Sequence, residues 1–269
     1  MTRFPTRCAV LLLLLLWGCN VDKHFIFFPD RAITTTPAQA GIPFENLYLT
    51  TKDHLKINAW FVPHPQAQMA LVWFHGNGGN LSDRVDQITA FHAALPVHLL
   101  IIDYRGYGKS DGEPSEEGTY LDADAAYDYL LTQFNPEKLV VYGQSLGAAV
   151  ATEFALRHGN VAGLILEAPF LSIKEMAKVH YGWLPVGGLI TTHYDNISKI
   201  GKVRMPILIL HGDQDETVPY QHGQRLFAAA NEPKRLYTIQ NGHHNDLYEV
   251  GGKNYMDAIT DFIAAKTPP

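Results

Sequence analysis

A chain of 269 residues, 46% hydrophobic and 18% charged, has the size and composition of one large globular domain that buries roughly three quarters of the surface its unfolded form exposes. A net charge of −6 without a long basic run gives no footing for a nucleic-acid partner, because phosphate binding depends on clustered Lys and Arg. Both cysteines, Cys8 and Cys19, fall in the first twenty residues, so the rest of the chain has no thiol pair for a disulfide and must be held by its core.

The chain opens with Arg3 and Arg7, an apolar run over residues 9–17, then Gly18 and Cys19. That basic, apolar, small-residue order marks an export signal, and the run is too short to span a bilayer comfortably. The tetrapeptide LWGC (residues 16–19) resembles the bacterial lipobox, in which a leucine three positions before an obligatory cysteine, and a small residue just before it, direct cleavage and lipidation of that cysteine. Trp17 is bulkier than the usual residue there, and a plain signal peptide or an uncleaved anchor is the alternative. The resemblance implies a lipoprotein signal peptide over residues 1–19 and Cys19 as the lipidated start of the mature protein. It also implies an envelope location, membrane-anchored and facing the periplasm or the exterior. Acyl chains contribute about 0.8 kcal/mol per buried methylene, enough for several of them to hold a protein firmly on a membrane.

Residues 20–44 read as a tether and N-terminal extension. The row Phe25, Ile26, Phe27 and Phe28 before Pro29 is expected to pack on a sheet edge, with membrane contact as the alternative. Residues 45–269 form the remaining domain. Glu45–Thr50 and Lys56–Val62 alternate apolar and polar residues, which suits a hairpin of half-buried antiparallel strands. Short apolar runs follow at 70–74, 98–102, 139–142, 164–166 and 207–210, with a weaker one at 235–239; continuous apolar strands imply burial on both faces. Helix-like stretches at 118–134, 148–158, 223–230 and 255–265 alternate with them, which predicts an α/β fold with a mostly parallel sheet flanked by helices. The long connection at 169–204 carries Phe170, Met176, Tyr181, Trp183 and Leu184 among prolines and glycines. It is expected to form either a short cap-like insertion or a helix with loops on the sheet edge.

Two serines fit Gly-x-Ser-x-Gly. Ser145 directly follows the apolar run KLVVY and directly precedes LGAAVATEFALRH, whose Ala, Leu and Glu content favours a helix, so a strand, a sharp turn and a helix meet at its hydroxyl. Ser110 lies in YRGYGKSDGEPSEEG, a stretch of turn formers well before the next helix, and reads as turn chemistry. A serine nucleophile needs a histidine to take its proton and a carboxylate to orient that histidine. Downstream of Ser145, HGDQDETVP offers Asp213 or Asp215, and NGHHNDLY offers His243 or His244. Adjacent histidines point apart, and no third ligand at helical spacing accompanies them and Asp246, so no metal and no cofactor are expected.

The motifs FHGNGGN (74–80), DYRGYGKSDGEPSEEG (103–118), GQSLG (143–147), LEAPF (166–170), HGDQDETVP (211–219) and GHHNDL (242–247) together resemble the α/β-hydrolase-fold serine hydrolases. Within these, they resemble the branch named after a yeast bud-emergence suppressor, which includes eukaryotic protein depalmitoylases. The resemblance implies Asp215 as the acid, from Gly-x-x-Asp-x-x-Val, and His244 as the base. It implies oxyanion donors at the backbone N–H of Leu146 and of Asn77, with Gly78 as the neighbouring candidate, and a structural corner at Glu167 rather than a replacement acid. His75 is expected to fix its loop. Expected chemistry is acyl transfer to water on carboxylic esters or thioesters, with acyl-containing small molecules, lipids or acylated proteins as substrates. A peptidase or amidase on the same fold is one alternative, and a non-catalytic binding protein on a hydrolase scaffold is another.

Overall fold

The computed structural model describes residues 23–182 and 191–265, so the expected signal segment with Cys19, and Trp183 and Leu184, lie outside the described residues. Eight strands make one sheet: β2 (Glu45–Thr50), β3 (Lys56–Val62), β4 (Met69–Phe74), β6 (Val97–Ile102), β7 (Leu139–Gln144), β8 (Gly163–Glu167), β9 (Ile207–Gly212) and β10 (Lys234–Ile239). Their spatial order is β10-β9-β8-β7-β4-β6-β3-β2, parallel from β10 to β6 and antiparallel at β6·β3 and β3·β2.

The apolar runs are continuous because the sheet has a core on each face, and side chains alternate between them with the strand period of two. Along β4, Ala70, Val72 and Phe74 enter one core while Met69, Leu71 and Trp73 enter the other. Helices α3 (Glu116–Leu130) and α4 (Leu146–Arg157) supply Ala126 and Phe154 to the first; α2 (Val85–Ala94) and α8 (Leu247–Ala264) supply Phe91 and Tyr255 to the second. The same geometry corrects the expectation of two half-buried hairpin strands. Only β2, at the edge, is partly exposed, whereas β3 is buried from Ile57 to Val62 because it lies inside the covered sheet.

Helix α7 (Tyr220–Ala229) starts earlier than the sequence suggests, whereas the part of α8 that follows Gly252 agrees with the helix expected at 255–265. In α8 the backbone leaves helical geometry at Gly252 (φ 49°, ψ −131°), so a short helical segment from Leu247 meets the main one at a kink. The connection at 169–204 holds α5 (Ile173–Tyr181), capped by Ser172, and one turn, α6 (Asn196–Lys199). The N-terminal extension is docked, not loose. After the short α1 (Lys23–Ile26), β1 (Phe28–Pro29) pairs in parallel with β5 (Gly78–Gly79), and Arg31 Nη1 donates to the Ser110 carbonyl at 2.5 Å. Ile26 and Phe27 are buried, whereas Phe25 and Phe28 are 62% and 54% exposed, so the apolar row divides between core and surface.

Candidate active site

Strand β7 ends at Gln144 and helix α4 starts at Leu146, leaving Ser145 alone to make the turn. Its backbone sits at φ 53°, ψ −112°, a conformation L-residues rarely adopt, which is how a sharp strand-to-helix elbow raises a hydroxyl above a sheet. Close packing beneath explains the flanking glycines. A Cβ on Gly143 would lie 2.3 Å from the Gly147 carbonyl oxygen, and one on Gly147 would lie 1.9 Å from that of Phe74. The Ser145 N–H is tied to the Glu167 carbonyl at 2.8 Å, fixing the elbow to β8.

The loops after β9 and β10 bring two further side chains to this hydroxyl. His244 Nε2 lies 2.9 Å from Ser145 Oγ, and His244 Nδ1 lies 2.7 Å from Asp215 Oδ2. A carboxylate only accepts, so the imidazole proton belongs on Nδ1 and Nε2 is left to accept from the serine. Asp215 Oδ1 accepts from the N–H groups of Thr217 (2.9 Å) and Val218 (2.7 Å). Burial alone would raise the Asp215 pKa, but hydrogen bonds with His211 and His244 and from Val218 outweigh it and hold the carboxyl well below its ordinary range. Asp215 is therefore ionised where it faces the imidazole.

The loop after β4 closes the other side. A Cβ on Gly76 would come within 3.7 Å of Ser145 Cβ, so the loop passes directly over the elbow. Asn77 follows, and among the described residues neither its N–H nor that of Leu146 donates to a protein acceptor. The Leu146 amide opens α4, where the first N–H groups have no intrahelical partner and the helix dipole is positive. These are two free donors beside a hydroxyl that is hydrogen-bonded to an imidazole.

The family model described as "Serine aminopeptidase, S33" matches residues 65–194. Protein bem46 of Schizosaccharomyces pombe is 33% identical over 276 residues, covering 95% of this chain and 90% of its own. The alpha/beta hydrolase domain-containing protein WAV2 of Arabidopsis thaliana is 32% identical over 260 residues, covering 89% and 84%. The chain belongs to the α/β-hydrolase family. Its fold also matches the Pyrococcus furiosus esterase Pf2001, with a TM-score of 0.74 at 17% identity over 90% of this chain and 98% of that one. The bem46 and WAV2 similarities fit the bud-emergence-suppressor branch that the motifs pointed to.

The remaining candidates in this α/β hydrolase have other partners. Ser110 is fully buried, accepting from the Asn58 N–H (2.8 Å) and donating to the Asp103 carbonyl (2.9 Å). Asp213 is exposed and accepts from the Asn241 N–H at 2.7 Å; His243 is exposed and pairs with Glu216 at 2.9 Å. His75 bonds the Gly76 carbonyl through Nδ1 at 2.7 Å, with Nε2 3.4 Å from Asp103, within the loop it was expected to fix. Glu167 is buried behind the elbow and accepts from Tyr142 (2.5 Å), Gln144 (2.8 Å) and Tyr255. Burial pushes its carboxyl pKa up against these donors.

Sequence reasoning overlooked His211 and Tyr107 of this hydrolase. His211 Nε2 lies 2.9 Å from the Val218 carbonyl and 3.4 Å from Asp215 Oδ2, and Tyr107 OH donates to the Asn77 carbonyl at 2.7 Å. A signal existed for His211, which opens the HGDQD motif at the end of a buried strand.

Proposed function

We propose that this hydrolase is a serine esterase or thioesterase working through an acyl-enzyme. Ser145 Oγ attacks the carbonyl carbon while His244 Nε2 takes its proton, and Asp215 steadies the imidazolium. The tetrahedral oxyanion is stabilised by the N–H groups of Asn77 and Leu146, donors of a kind whose single loss typically costs about 3–4 kcal/mol of transition-state stabilisation. Collapse breaks the bond to the leaving alcohol or thiol, which departs with the proton from His244. Water then gives a proton to His244 and attacks the acyl carbon; collapse breaks the acyl–Oγ bond, His244 returns the proton to Ser145 Oγ, and the carboxylic acid leaves. The supporting observation is the hydrogen-bonded series Ser145 Oγ, His244, Asp215 at an elbow with a positive φ.

We further propose acyl lipids or acylated proteins as substrates, met at a membrane surface by an enzyme anchored through Cys19 in the bacterial envelope. The description of the matching family as serine aminopeptidases favours a second reading, amide cleavage by the same groups, with His244 protonating a leaving amine. A fluorophosphonate probe tests the nucleophile: labelling disappears in Ser145→Ala and persists in Ser110→Ala, and the reverse pattern reassigns it. Matched ester, thioester and anilide probes of varied acyl length separate the two readings, because anilide turnover above ester turnover overturns the esterase proposal.

A further inference from the structure

Beyond the bond from His75 to the Gly76 carbonyl, the loop carrying Asn77 is mostly glycine. Gly76, Gly78 and Gly79 have no side chains to pack, and Gly79 adopts φ +75°. Arg84 Nη2 donates to the Gly78 carbonyl at 2.5 Å and Tyr104 OH to the His75 carbonyl at 2.8 Å, but the Asn77 side chain is tied to the N-terminal segment about fifty residues earlier. Asn77 Nδ2 donates to the Ile26 carbonyl at 3.0 Å, and the Phe28 N–H donates to the Asn77 carbonyl at 3.0 Å. Phe28 and Pro29 then pair with Gly78 and Gly79, and the Asp30 N–H reaches the Gly79 carbonyl at 3.2 Å. Asn80 Nδ2 completes the seam on the carbonyls of Asp30 and Ala32, at 3.2 and 2.7 Å.

Phe27 nails this segment down. Phe27 is 4% exposed, and its ring stands edge-on to Tyr194 with centroids 6.3 Å apart, while the Tyr194 hydroxyl is 2.8 Å from Thr119 Oγ1. With Tyr107 OH also on the Asn77 carbonyl, that oxygen has two donors and the Asn77 side chain has a third tie. Among the described residues, only the Asn77 N–H of its backbone polar groups lacks a partner, and it lies in the loop over Ser145.

We infer that residues 26–30 are a positioning element of the active site: the main chains of Ile26 and Phe28, wedged in place by Phe27, orient the Asn77 N–H as an oxyanion donor. This rests on the proposed serine-hydrolase chemistry. An oxyanion donor acts in the transition state and little in the ground state, so loosening it lowers kcat and leaves KM nearly unchanged.

The test uses the full chain as wild type, Phe27→Ala and Asn77→Ala, with p-nitrophenyl esters, a trifluoromethyl ketone as oxyanion mimic, and melting curves. Displacing one donor without deleting it is expected to lower kcat by about tenfold with KM within about twofold, and to weaken the ketone by the same factor. A folded Phe27→Ala with wild-type kcat overturns the inference, as does a kcat loss without weaker ketone binding. If Phe27→Ala does not fold, Asn77→Ala, which cuts the tie to Ile26 and keeps the backbone N–H, must show the same split or the inference fails. A wild-type protein that neither hydrolyses the esters nor reacts with fluorophosphonate defeats the serine-hydrolase proposal itself, and this inference with it. Activity in the wild type with no effect in either variant defeats the inference alone.

Discussion

Asp215 Oδ2 lies 3.4 Å from His211 Nε2 and 2.7 Å from His244 Nδ1, so one carboxylate oxygen faces two imidazoles. The Val218 carbonyl, 2.9 Å from the same His211 nitrogen, can only accept, which puts the His211 proton on Nε2, between that carbonyl and the carboxylate. Asp215 thus carries more donors than orientation of His244 requires.

Replacing Asp215 with Asn keeps the size and removes the charge. The amide can present N–H to His244 Nδ1 and favour the tautomer that blocks proton acceptance at Nε2. In the proposed mechanism kcat for Asp215→Asn falls by about 10⁴-fold while the fold persists, the magnitude known for the equivalent change in another triad. Steady-state kinetics with circular dichroism check this; near-wild-type kcat, with Asp213→Asn inactive instead, moves the role to Asp213.

The same contacts predict an acid-stability signature. Against the burial that would raise it, hydrogen bonding with His211 and His244 depresses the Asp215 pKa below its ordinary 3.8. The folded state therefore holds this proton less tightly than the unfolded state. The stability contributed is complete above about pH 4 and drains away as pH falls toward the folded value. Melting temperatures of wild type and Asp215→Asn, measured from pH 6 down to pH 2, should converge on the acid side. A constant gap across that range shows that the carboxylate is not held as described.

A methyl group at residue 147 has nowhere to go, since its nearest neighbour is the Phe74 main-chain oxygen and not a side chain that could turn aside. Overpacking a well-filled site costs roughly 1–3 kcal/mol, and a rigid backbone partner places Gly147→Ala at the top of that range or above it. Urea denaturation reads the loss, and fluorophosphonate labelling slows in step because α4 can no longer approach the elbow. A loss below about 0.5 kcal/mol would mean the helix can retreat freely.

Ser110→Ala separates the two Gly-x-Ser-x-Gly sites. The substitution deletes the acceptor of the buried Asn58 N–H and the donor to Asp103, a cost of about 1–3 kcal/mol for an unsatisfied buried group. Stability should drop while labelling and kcat of the surviving folded enzyme stay at wild-type values. Loss of labelling without loss of stability contradicts this.

What the sequence discloses here is local, and what it conceals is long-range. The strand at 207–210 is legible because Ile207, Leu208, Ile209 and Leu210 enter the two cores in turn, and the elbow is legible because strand, Ser145 and helix are contiguous. Asn77 and Ile26 are separated by fifty-one positions, and the bond between them follows from no periodicity in either segment. His211 hides for a related reason: within a buried apolar strand a histidine looks like core, and its closeness to Asp215 depends on how the next loop folds back. The short helical segment that precedes the Gly252 kink is masked by Gly251 and Gly252, whose low helix propensity hides, in the sequence alone, a segment that tertiary packing of Leu247 supports.

The proposed anchor and the proposed catalyst should be separable at Cys19. Among the described residues, the first with a bond to the Asn77 loop is Ile26, seven positions after Cys19. Cys19→Ser should release or mislocalise the protein while kcat on a soluble p-nitrophenyl ester stays within twofold of wild type, a change of less than about 0.5 kcal/mol in transition-state stabilisation. Fractionation of cells and mass spectrometry of the mature N-terminus decide the first half: a retained Met1 or an unmodified start removes the lipobox proposal. The second half bears on the substrate. The stretch from Cys19 to Ile26 can span at most about 25 Å even when fully extended, so a lipidated Cys19 would keep the Asn77 loop near the bilayer surface. Turnover of a long-chain acyl ester presented in vesicles should then fall in Cys19→Ser far more than turnover of the soluble ester. Equal falls on both would mean that residue 19 acts through the fold, and no fall on either would mean that the membrane is not where the substrate is met.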